Sequence, residues 1–182
     1  MSAALLLTGA LVLLVTGIGH LRGTRATSAL IGAHGVLPTR YAGSVTVLLT
    51  IVEIALGSAL ALSVMLGAAD AQRTLGMGAV AVFVVLAGYA HTAWRTRPHD
   101  APLCACGVAE SPLGPAVTGR AVLLALVSAV GAVSIGGTSL LGRSWDELVV
   151  VACAVTSLTV VLVLLPAARA VGPRVPVGGA WS

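Results

Sequence analysis

Five stretches of this 182-residue chain, 3–19, 43–66, 74–94, 120–136 and 148–165, each run close to a membrane's width with at most one charged side chain. A run of about 20 apolar residues crosses the hydrocarbon core as a helix. In lipid every backbone N–H and C=O must be satisfied within its own segment, which makes helices the default and excludes open sheet. The fold class is therefore all-α, a polytopic membrane helix bundle with about five transmembrane helices. With 58% hydrophobic and 9% charged residues, the chain lies far from soluble domains, in which roughly 25% of residues are charged. The fourth run is the weakest, diluted by Gly131, Ser134, Gly136 and Gly137, and a four-helix count is the alternative. A transmembrane domain over 1–166 is expected, followed by a short flexible tail over 167–182 that contains Pro173, Pro176 and Gly178-Gly179.

All ten basic residues are Arg, and Lys and Asn are absent. Both missing types use AT-rich codons, so a GC-rich bacterial genome and a bacterial cell membrane are expected. In a soluble protein the net charge of +4 would suggest nucleic acid; here the arginines lie in short connections and read as topology signals, so the expected partner is the bilayer. Arg22, Arg25, Arg40, Arg95, Arg97, Arg120, Arg169 and Arg174 fall on one side, and Arg73 and Arg143 on the other. The positive-inside rule then puts the amino terminus outside and the carboxyl terminus in the cytoplasm. No Arg or Lys precedes the first run, which favours a retained helix over a cleaved signal peptide.

Tyr41, Trp94 and Trp145 sit at expected helix ends, where aromatic belts form. Small residues at one-turn spacing, Gly57 with Ala61 and those around Gly78, suit close helix packing.

Chemistry concentrates in a few places. The connection 95–119 holds Cys104-Ala-Cys106 among Pro98, Pro102, Pro112 and Pro115, prolines that keep helices from running through the thiols. By the arginine count this loop is cytoplasmic. Two cysteines this close can form a strained disulfide of oxidising potential, hold a soft ion with His99, or simply pack. No second Cys pair completes a tetrahedral site, and no metal site is assigned. Cys153, about five residues into the last run, is expected to be a buried core thiol. Glu53 is the acid deep within an apolar run, and an ionisable group there marks function and needs a partner. His20, His91 and Arg120 fall on the same side of the membrane, with Arg120 expected to open the fourth helix. Glu53, His20, His91 and Arg120 can therefore form a supporting cluster beneath the Cys loop.

The segment Cys104-Ala-Cys-Gly107, then Ser111-Pro-Leu-Gly114 and Arg120, resembles the MauE-type methylamine-utilisation membrane proteins, relatives of the DoxX-like four-helix bundles. So do Gly17-Ile-Gly-His20, the amphipathic connection to Gly35-Val-Leu-Pro38, and Val52-Glu53-Ile-Ala-Leu-Gly57. The likeness covers roughly residues 5–135. The chain departs from the family pattern at three points: no Phe precedes the loop glycine, Ala121 stands where Asn follows the arginine, and His20 stands for the usual Lys. The resemblance implies a DoxX-like four-helix core plus a carboxyl-terminal helix. It also implies a role in maturing a disulfide-containing client with a thioredoxin-like partner.

Two functional readings follow. In one, Cys104 and Cys106 are a redox pair in a membrane thiol–disulfide component, and Glu53 and the histidines supply protons. In the other, the protein is a non-enzymatic chaperone or scaffold whose Cys loop binds a partner or holds a metal. No cofactor is identified; a quinone or a soft metal is compatible with the pattern, but nothing in it supports either.

Overall fold

A computed structural model of the chain describes residues 2–96, 113–134 and 139–170, with side chains of the last stretch to residue 163. Cys104, Cys106, His99 and the tail prolines lie outside the described residues. The elements are α1 (Ser2–Arg22), α2 (Thr24–His34), α3 (Thr39–Leu66), α4 (Ala69–Thr96), α5 (Pro115–Val133), a 3₁₀ turn (Leu140–Gly142) and α6 (Trp145–Ala170). All of these except α2 and the 3₁₀ turn are long and apolar enough to cross a membrane, which makes five candidate spans.

Several boundaries differ from the sequence expectations. The fourth span begins at Pro115 and not at Arg120. Proline fits the first helical turn because its missing N–H would have no partner there, so Pro115 starts the helix and does not break it. Arg120 is thereby drawn inside the bundle. α5 ends at Val133, so of the residues that diluted this run it contains Gly131 but stops short of Ser134, Gly136 and Gly137. α6 continues past Pro166 to Ala170, beyond the boundary set at residue 166.

α1, α3, α4 and α5 form a ring in which each packs on two neighbours, and α6 lies outside against α1 and α5. α2 runs along α3 at the end where α1 stops. Close packing depends on glycine. A Cβ at Gly57 would lie 2.9 Å from the Ala10 carbonyl oxygen, and one at Gly76 would lie 2.8 Å from Ala132 Cβ. Dispersion and close fit, not the hydrophobic effect, hold helices together in lipid, so these contacts define the ring. α3 ends at Gly67, whose φ of 73° is the left-handed cap that glycine adopts without strain. Gln72 Nε2 donates to the Ser63 carbonyl oxygen at 3.0 Å, tying the turn from α3 to α4.

Leu48, Ile51, Leu62, Val84, Leu126 and Val150 are exposed, as an outer surface facing hydrocarbon requires. Cys153 is exposed as well, which corrects the expectation of a buried thiol. α6 packs inward through Val155 and Leu162, which are buried, and Cys153 points away from that stripe. Tyr41 and Trp145 are exposed near helix starts, and the Arg40 guanidinium lies 4.7 Å from the Tyr41 ring centroid.

Candidate functional site

Gly17 sets the geometry of the site. A Cβ there would lie 3.1 Å from Glu53 Cβ and 2.8 Å from Ile54 Cγ1, so its absence lets α1 lie directly against the middle of α3. One turn further on, His20 faces Glu53, with Nε2 3.6 Å from Oε2. Glu53 is 1% exposed and His20 4%. The other ring nitrogen, Nδ1, lies 3.4 Å from Thr27 Oγ1 on α2. The imidazole thus stands between a hydroxyl on α2 and a carboxyl on α3.

Arg120 is also buried, and its guanidinium interacts electrostatically with Glu53 across the bundle. Its position in the second turn of α5 turns it inward alongside Val117 and Leu124, both buried. His34, the last residue of α2, is 1% exposed, and its Nδ1 lies 2.7 Å from the Tyr89 hydroxyl. That contact docks α2 onto α4.

These groups share one cavity of about 370 Å³, lined by Thr16, His20, His34, Glu53, Tyr89 and Arg120 and otherwise by apolar side chains from α1 to α5 and by Leu37 and Leu113. Thr16 donates to the Val12 carbonyl oxygen at 2.9 Å, and its hydroxyl also interacts with the Glu53 carboxyl. The polar groups arrive from α1, α2, α3, α4 and α5, so the site exists only when the whole ring is assembled. It can hold a proton on a carboxyl or an imidazole out of contact with bulk water.

Of the expected cluster, Glu53, His20 and Arg120 come together. His91 does not line the cavity; its ring packs against Trp94 with centroids 6.0 Å apart. The buried stripe of α4 runs through Phe83, Ala90 and Ala93, and His91 is one residue past Ala90, about 100° round the helix. Tyr89 lies just as far from Ala90 in the opposite sense, on the flank that meets His34 and the cavity, so spacing along α4 did not distinguish it from His91. His34 carried no such signal, because its burial depends on how α2 folds back over α3. Among the described residues no group of three or more His, Cys, Asp or Glu is arranged to hold a metal ion.

The family model described as "Methylamine utilisation protein MauE" matches residues 1–134. That range takes in α1 to α5 and stops before the 3₁₀ turn and α6. No curated protein and no solved structure matches the chain.

Proposed function

Since the chain belongs to the methylamine utilisation protein MauE family, we propose that it works by thiol–disulfide exchange in the maturation of a disulfide-containing client. The family and the apolar helices make it an accessory membrane protein of methylamine utilisation; the exchange chemistry is the proposal. One observation carries it. The Cys loop leaves α4 at Thr96 and rejoins the described chain at Leu113, a wall residue of the polar cavity. Cys106 is seven residues from that wall, a tether of at most about 25 Å when fully extended.

In the exchange, a thiolate of a thioredoxin-like partner attacks one sulfur of the Cys104–Cys106 disulfide, forming a mixed disulfide and releasing the other sulfur as a thiolate. The partner's second thiolate then displaces the first sulfur. The partner leaves as a disulfide, and two electrons remain on the Cys pair as two thiols once two protons are taken up. We assign the relay of those protons to Glu53 and His20, which line the same cavity as Leu113. Run in reverse, the same steps oxidise the pair.

Capture decides the matter. Cys104→Ala and Cys106→Ala, each expressed singly, should accumulate mixed disulfides with a thioredoxin-like protein or a client, resolved by reducing electrophoresis and identified by mass spectrometry. Absence of any mixed disulfide, together with intact client maturation in Cys104→Ser/Cys106→Ser, would overturn the reading.

A scaffold role is the second reading, and the specific observation favouring it is that His20 and Glu53 join α1 to α3 where a purely structural lock would sit. It expects the Cys thiols to stay in one state whatever the reductant, which thiol trapping reads directly.

A further inference from the structure

The cavity has a polar end that the described residues do not complete. Among the described residues Glu53 Oε2 has no hydrogen-bond partner, and His20 Nε2 at 3.6 Å is beyond hydrogen-bond reach. Burial of a polar atom in that state is costly, and a ligand hydroxyl is one group that satisfies it. Glu53 and Arg120, both buried at this end, are groups of opposite sign, and neither offers a charged head a contacting, unshared partner. Burying a charged head there is costly, whereas a neutral one carries no such penalty.

The remainder of the wall is apolar and meets the lipid. Leu56 on α3 lies against Gly78 on α4, 3.3 Å from where a Cβ would be. Further along the same two helices, Val45, Leu49 and Val85 line the cavity. Val85 is also 69% exposed. Val85 thus stands both at the cavity and on the outer surface, so the cavity reaches the hydrocarbon beside it, between α3 and α4. At about 370 Å³ it lies near the lower end of small-molecule pockets, enough for a head and the first part of a tail.

We propose that this cavity binds an uncharged, membrane-soluble molecule with an oxygen-bearing head, inserted from the bilayer between α3 and α4. A head hydroxyl donates to Glu53 Oε2, and a second head oxygen accepts from the Arg120 guanidinium. Two sources share that chemistry, a quinone–quinol lipid and a glyceride. The inference concerns the cavity and goes beyond the thiol reading, because it does not use the cysteines.

The full chain in nanodiscs is titrated with ubiquinol-1 kept reduced and, separately, with dioctanoylglycerol; decanoate and decylamine are the charged comparisons. At least one neutral probe should bind saturably, and the charged probes at least about tenfold more weakly. Ala121→Phe, which fills the cavity, should weaken the neutral probe about tenfold or more in protein whose thermal unfolding shows it is folded. Glu53→Gln, nearly the same shape, should weaken it too, and carries the test alone if Ala121→Phe does not fold. Preference for the quinol identifies a redox lipid and preference for the glyceride a bilayer lipid; either supports the proposal. Binding by Cys104→Ser/Cys106→Ser protein supports it whatever becomes of the thiol reading. Failure of both neutral probes to saturate, equal binding of a charged probe, or wild-type affinity in the folded variants would overturn it.

Discussion

Glu53 places a carboxyl near the midpoint of α3, and its neighbours answer it in different ways. His20 approaches within 3.6 Å and is held from behind by Thr27, whereas Arg120 acts through space from α5. Removing Arg120 takes away a buried charge of opposite sign to the carboxylate, but the two groups make no ion pair within 4 Å, so the cost is below the roughly 3–5 kcal/mol of breaking a contacting buried pair. Arg120→Gln should therefore be moderately destabilising. Glu53→Gln in the same chain should recover part of the loss, with a coupling of about 0.5–3 kcal/mol, read from unfolding in detergent micelles. Additive effects would mean that the two groups do not interact. Gly17 is the other sensitive position. Gly17→Leu must push α1 from α3, at a cost of about 1–3 kcal/mol, and a cysteine pair replacing His20 and Glu53 should then cross-link less readily than it does with Gly17 present.

At the scale of elements, α6 stands apart. The described residues that line the polar cavity all precede it, the family match ends at residue 134, and α6 packs mainly on the outside of α1 and α5. A chain ending at Gly142 is expected to insert and keep the His20 to Glu53 contact, with a lower unfolding temperature. Loss of the cysteine cross-link at those two positions in the truncated chain would show that α6 is needed to assemble the site. α2 behaves in the opposite way. It is too short to span, yet His34 and Thr27 are both buried against the bundle, so this connecting helix forms part of the cavity wall. Its amphipathic character was legible in the sequence, but the partner of its buried face was not.

For the molecule as a whole, the arginines set an expected orientation. Arg22, Arg25, Arg40, Arg95 and Arg120 fall at one end of the ring by connectivity, and Arg73 and Arg143 at the other. With the arginine-rich end in the cytoplasm, Ser28→Cys in a Cys104→Ser/Cys106→Ser/Cys153→Ser background should escape an impermeant thiol label in intact cells. Asp146→Cys should react. The reverse pattern would invert the molecule and put the Cys loop in the oxidising compartment. The all-helical class, the five spans and the approximate positions of their ends were determined by the sequence alone, because lipid permits few ways to satisfy a backbone and apolar length reveals them directly. The inward turn of Glu53, His20 and Arg120 was half legible, since a charge in lipid must find company but spacing along one helix does not say which neighbour supplies it. Only the tertiary structure chose Tyr89 over His91, buried His34, and turned Cys153 to the outer surface. Those outcomes depend on how each helix is rotated about its axis, and in a chain apolar on every face that rotation is decided by the fit of glycines such as Gly17 and Gly57 against the neighbouring helix, not by any polarity written along the helix itself.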